Sequence, residues 1–242
     1  MSMPPEHRGP KLATTRIRWR KAWRIIASRY PPINLFERLS NDPAAWEVLI
    51  ELEQATNPRV RDQVGDISLV PTSRRVIGNN ASWVMAPFTH LNRKGSRFSN
   101  GSYGVYYAAQ QLETAIRETA YHFGRFASDS HDTARHEYMR VLVGSIDHSF
   151  DEILSLPARD RAAILNPNSY AVSQPFGLSR RESDSDGVSY PSVRHPGGSC
   201  IAAFWPDVVG IPIQERHLQY EWDGTAVRRY FDFSRDVWEP LA

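Results

Sequence analysis

A run of strand-forming residues, Tyr103–Ala109, passes within three residues into a run with helical periodicity, Leu112–Phe126, and this junction constrains the fold more than any other stretch. Leu112, Ile116, Thr119 and Phe123 recur at helical spacing and define one face of the helix. Glu118 falls on a different face, near Ala115, Tyr121, His122 and Arg125, and so points towards whatever packs on the helix's other side. On the strand, the adjacent Tyr106 and Tyr107 point to opposite faces, one entering the core and the other free for a cleft. The loop Gly95-Ser96-Arg97-Phe98-Ser99-Asn100-Gly101 stands just before the strand. An arginine, a tyrosine and a glutamate therefore converge on the ends of one strand and its helix.

Around this junction the pattern predicts a mixed α+β fold in which strands outnumber helices. Strands are expected at Ala22–Ala27, Ile67–Val70, Trp83–Phe88, Tyr138–Ile146, Val188–Val193 and Cys200–Phe204. A helix from Pro43 to about Ala55 has Asp42 as its cap and Asn57-Pro58 as its stop. Asp151–Leu165 holds one or two helical turns broken by Pro157, and Tyr170–Glu182 is partly helical, interrupted by Pro175 and Gly177. His217–Trp222 and Thr225–Phe233 flank Asp223-Gly224, a hairpin signal. Two regions are expected: residues 1–65, a basic and helical extension that packs on the core or contributes its first strand, and residues 66–242, the domain that carries Arg97, Tyr107 and Glu118.

Charge is uneven although the total is only +2 over 242 residues. Up to Tyr30 there are eight basic residues (Arg8, Lys11, Arg16, Arg18, Arg20, Lys21, Arg24 and Arg29) against Glu6 alone. Such an arm suits phosphates or an acidic partner. It carries no recognised DNA-binding motif, so direct nucleic-acid binding is a weak reading. No apolar stretch is long enough to cross a bilayer and no signal-peptide core is present, so the expected location is the cytoplasm. The single cysteine, Cys200, excludes an internal disulfide and lies in an apolar run, where it reads as a packed thiol. No His/Cys cluster has zinc-ligand spacing, and no metal is expected.

Each candidate residue has a plain reading beside the functional one. Arg97 is either a phosphate or ribose clamp or a salt-bridged surface arginine. Tyr107 is either a cleft residue or strand packing. Glu118 either pairs with His122 at i,i+4 or stabilises positive charge developing on a ribose as a base leaves.

The segments "GSRFSNGSYGVYYAAQQLETAIRETAYH" and "DGVSYPSVRHPGGSCIAAF" together resemble the RES-domain family, toxins of bacterial toxin–antitoxin pairs. By that resemblance Arg97, Tyr107, Glu118 and Ser192 are the catalytic residues, and Arg24, His90, Phe98 and Arg194 contribute to binding the dinucleotide. The literal string Arg181-Glu182-Ser183 is a coincidence. The resemblance implies a bent, split β-core similar to the ADP-ribosyltransferase fold, and NAD as substrate, cleaved at the nicotinamide–ribose bond. The acceptor stays open between water, inorganic phosphate and a protein side chain, the last making the chain a mono-ADP-ribosyltransferase. The implied partner is an Xre-like antitoxin, with DNA contacted only indirectly, through that antitoxin. An inactive NAD- or antitoxin-binding module and a homodimer remain open alternatives.

Overall fold

The computed structural model describes residues 12–30, 48 and 65–241; apart from Val48, the helix expected over 43–55 lies outside the described residues. Among the described residues there are eight strands in one mixed sheet and four α-helices, an α+β fold. In chain order they are β1 (Thr14–Ala27), α1 (Ala81–Thr89), β2 (Tyr106–Ala109), α2 (Leu112–Asp129), β3 (Arg135–Glu152), α3 (Ala158–Ile164), α4 (Ser173–Glu182), β4 (Gly187–Pro191), β5 (Ser199–Ala203), β6 (Ile213–Trp222), β7 (Val227–Asp232) and β8 (Val237–Pro240).

The first five sheet neighbours, β1-β2-β5-β4-β3, close on themselves because β1 also pairs with β3. That seam is long and antiparallel, running from Thr14↔Asp151 to Ala27↔Met139, with a bulge between Trp19 and Ala22. By contrast, β1 and β2 meet at one register pair, Trp23↔Ala109. From the other side of β3, strands β6, β7 and β8 extend as an antiparallel wing. Helix α2 packs Ile116 and Phe123 into a core with Leu218, Tyr220 and Trp222 of the wing. A second core gathers Val84, Met85 and Phe88 of α1 with Tyr106, Phe150 and Ile201.

Strand β1 begins eight residues before the expected Ala22 and lies within the basic stretch. Its period-2 alternation keeps Arg16, Arg18 and Arg20 exposed while Trp19 is buried. The segment expected as an extension thus supplies a hydrogen-bonded strand of the closed ring.

Two expected strands are corrected. Ile67–Leu69 is a single 3-10 turn, stopped from extending by Asp66, whose side chain accepts from the Ser68 N–H at 3.0 Å. Trp83–Phe88 belongs to α1, where Ala81, Val84, Met85 and Phe88 are buried at i, i+3, i+4 and i+7. An all-apolar run read without its helical period looks the same as a buried strand. In α4, Pro175 occupies the first turn, where its missing N–H leaves no intrahelical bond unmade. Gly177 lies where a Cβ would come within 2.3 Å of the Phe98 carbonyl oxygen. The glycine lets α4 press on the loop that carries Arg97.

Candidate active site

A cleft of about 620 Å³ opens where β1 and β2 touch at their single register pair. Strand β1 gives it Trp23 and Arg24, β2 gives Tyr107, and the loop before β2 gives Arg93, Lys94 and Arg97. Helix α2 contributes Glu118, His122, Arg125 and Asp129, at spacings of four, three and four that place them on one face. The size is within the range of small-molecule sites.

Glu118 is held at one oxygen. The Ser192 hydroxyl donates to its Oε1 at 2.6 Å and the Val193 N–H at 3.2 Å. Ser192 Oγ itself accepts from the N–H groups of Arg194 and His195, at 3.1 and 3.0 Å, so its own proton is directed to the carboxylate. The other oxygen, Oε2, lies 4.0 Å from His122 Nε2. Desolvation in the cleft wall pulls the His122 pKa down, assisted by Arg194, Arg97 and Arg125 and opposed by Glu118.

Arg97 is a buried residue, with 5% exposure. Its Nη1 donates to the carbonyls of Ile164 (3.3 Å) and Asn166 (2.9 Å), and its guanidinium lies 4.9 Å from the Tyr170 ring centre. It is not a solvated arginine, and among the described residues it has no salt bridge; part of its donor capacity organises the chain at 164–166. Tyr107 anchors the same loop: its hydroxyl accepts from the Phe98 N–H at 3.0 Å and hydrogen-bonds Ser96 Oγ at 2.8 Å. Burial pushes the Tyr107 pKa up to about 12, so the phenol stays protonated at neutral pH. Arg24 donates from Nη1 to the Tyr107 carbonyl at 3.1 Å and stacks on the Tyr106 ring at 4.6 Å.

The cleft is electropositive. Arg24, Arg93, Lys94, Arg97 and Arg125 line it against Glu118 and Asp129, and Asp129 is already paired with Lys94 at 3.5 Å. An anionic ligand with one end at Glu118 fits that distribution.

The structure brings Arg97, Tyr107, Glu118, Ser192 and Arg24 together and separates the other three expected residues from the cleft. Phe98 is fully buried and packs on Tyr190 and Phe176, so only its backbone serves the loop. His90 is the C-terminal cap of α1, with an exposed side chain outside the cleft lining. Arg194 stacks on Tyr121 and donates to the Pro167 carbonyl, in a neighbouring groove that shares Arg125 with the cleft. Arg125, Lys94, Trp23 and Tyr170 were not singled out from the sequence as site residues. The spacing 118, 122, 125, 129 carried the signal for Arg125; Tyr170 has no local signal, because a distant segment brings it in. Cys200 is buried in the cleft wall, and burial, reinforced by Glu118, pushes its thiol pKa up, which keeps it protonated.

A mixed-sheet α+β domain with one serine-held glutamate in an arginine-lined cleft is the class that fold and site define. Residues 73–223 match the model of the RES domain, and the chain belongs to the RES-domain family. The match contains Arg97, Tyr107, Glu118 and Ser192 but not β1 with Arg24. Over 215 residues the chain is 29% identical to "Uncharacterized protein y4oC" of Sinorhizobium fredii (strain NBRC 101917 / NGR234), covering 87% of this chain and 86% of that protein. Among solved structures it is similar to a chain of the M. tuberculosis MbcT–MbcA toxin–antitoxin complex, with 11% identity, a TM-score of 0.41 and 87% of each chain covered. Among the described residues no helix is long and apolar enough to cross a membrane.

Proposed function

We propose that this chain is the toxin of a bacterial toxin–antitoxin pair and consumes NAD by breaking the nicotinamide–ribose bond. One observation carries the reading: Glu118 is fixed at Oε1 by Ser192 and Val193 inside a cleft lined by five cationic side chains. NAD is a dianionic pyrophosphate with a cationic nicotinamide at one end. The arginines suit the pyrophosphate, and a fixed carboxylate suits the ribose as it becomes cationic.

In the proposed reaction the C–N bond to nicotinamide breaks and its electron pair leaves with the now neutral base. Positive charge is left on the ribose, beside Glu118. A preorganised carboxylate stabilises that charge without having to reorient, which is the usual source of a large electrostatic contribution. The nucleophile then adds to the ribose carbon, water giving ADP-ribose with its proton released to solvent and inorganic phosphate giving the phosphorylated counterpart. Arg97 and Arg24 orient the dinucleotide. Tyr107 offers its ring to the ligand, since its hydroxyl is spent on the loop. Membership of the RES family supports the toxin assignment, and an Xre-like antitoxin and a cytoplasmic site of action belong to the same proposal.

The test is purified full-length protein, shown to be folded and free of any antitoxin, incubated with NAD with and without phosphate. Nicotinamide should be released, and chromatography of the second product identifies the acceptor. Labelled NAD in lysate adds the remaining arm, because a discrete labelled protein band would indicate protein modification instead. No turnover in either buffer and no labelled band would overturn the enzymatic reading.

A further inference from the structure

Outside the lining of the Glu118 cleft, three arginines have their charges treated differently. Arg74 lies among Asp186 (2.9 Å), Asp207 (3.0 Å) and Asp184 (3.7 Å). Arg180 pairs with Asp151 at 2.7 Å. Arg181, next in sequence, has no ion pair and donates no hydrogen bond among the described residues. Two aromatic rings hold it instead: its guanidinium lies 4.1 Å from the Trp205 ring centre and 4.8 Å from that of Tyr103. Stacking fixes the plane of a guanidinium and leaves its edge donors free, the arrangement that suits recognition of an oxyanion.

Arg181 lines a small, largely enclosed pocket of about 140 Å³ with Tyr103, Trp205, Phe88, Phe204 and Ser102. No carboxylate among the described residues lines it; the negative charge that acts on Arg181 is that of Glu182, which is not part of the lining. At about 30 Å³ of liquid volume per water, the space is that of four or five waters. It admits a tetrahedral oxyanion and is too small for a nucleotide.

We infer that Arg181, Tyr103 and Trp205 form a binding site for a small free oxyanion, separate from the cleft at Glu118. The site backs onto the Arg97 loop, because the Tyr103 hydroxyl donates to the Phe98 carbonyl. The inference does not depend on the NAD reading.

Inorganic sulfate is the probe, titrated into the full-length protein by calorimetry, with chloride at matched ionic strength as the control. A saturable sulfate component above chloride is expected. It should weaken roughly tenfold or more in Arg181→Gln, which loses a charge-assisted contact. It should persist in Arg125→Gln, which thins the charge of the cleft instead. Arg181→Lys keeps the charge but not the flat, stacked fork, and should bind several-fold more weakly than the parent. If Arg181→Gln does not fold, Arg181→Lys alone decides. No saturable component in the parent, or one unchanged by substitution of Arg181, would overturn the site.

Discussion

The Ser192 hydroxyl donates a 2.6 Å hydrogen bond to Glu118, a residue 74 positions away in sequence. It joins the turn after β4 to the middle of α2, and it fixes the carboxylate from the side away from its free oxygen.

Glu118→Gln keeps an acceptor for Ser192 and Val193 but removes the charge. Its expected effect is a fall of about 10²–10³-fold in kcat for nicotinamide release, with the thermal midpoint little changed. Ser192→Ala should lower kcat by about tenfold to a hundredfold with a smaller change in KM, and Ser192→Thr should recover part of it. Equal losses in Ser192→Ala and Ser192→Thr would show that the hydroxyl does not act by positioning.

Arg97→Lys tests the two carbonyl contacts. A lysine cannot reproduce the planar fork over Tyr170 while serving both Ile164 and Asn166, so about 1–3 kcal/mol of stability should be lost. KM for NAD should rise by about tenfold or more. A variant with the parent's denaturant midpoint and KM would remove Arg97 from both roles.

Tyr107→Phe keeps the ring and deletes the acceptor of the Phe98 N–H. An unsatisfied N–H next to Arg97 costs about 1–3 kcal/mol, which for a chain of this size is a fall of roughly 3–10 °C in thermal midpoint. Scanning calorimetry reads it directly.

Alkaline pH supplies a test with a definite sign. Burial raises the pKa values of Tyr106, Tyr107, Tyr190 and Tyr220, in the case of Tyr107 from 10.0 to about 12. The native state therefore keeps protons that the unfolded chain releases. The contribution of Tyr107 to stability is complete below pH 10 and is lost as pH rises from 10 through about 12, and those of the other three are lost in the same direction. Denaturant midpoints should fall across that window, and tyrosinate absorbance should appear together with unfolding. Titration of all the tyrosines near pH 10 in the folded protein would contradict the burial argument.

Much of this architecture was legible. Helix α2 announced itself through Leu112, Ile116 and Phe123, and Tyr106 and Tyr107 divided between core and cleft as strand geometry requires. What escaped did so for identifiable reasons. In β1, Arg16, Arg18 and Arg20 register first as charge, although Ile17 and Trp19 between them complete a period-2 strand. In α1, the apolar run around Pro87 concealed a helical period. Phe98 lies between two cleft-facing segments in sequence, but its side chain faces Tyr190 and Phe176, a direction that only the folded loop defines. The contact of Arg97 with residues 164–166 has no sequence signature, since backbone carbonyls carry none.

Closure of the five-stranded ring by β1 has a consequence for how the protein can be divided. A fragment cut to the family match at 73–223 would lack β1, leaving the N–H and C=O groups of β3 bare along a seam of twelve register pairs. It would also lack β7 and β8, which shield the outer side of β6. Two raw strand edges on one fragment invite sheet-to-sheet association between molecules. The segment that supplies Arg24 to the cleft thus also serves as the protein's guard against self-aggregation.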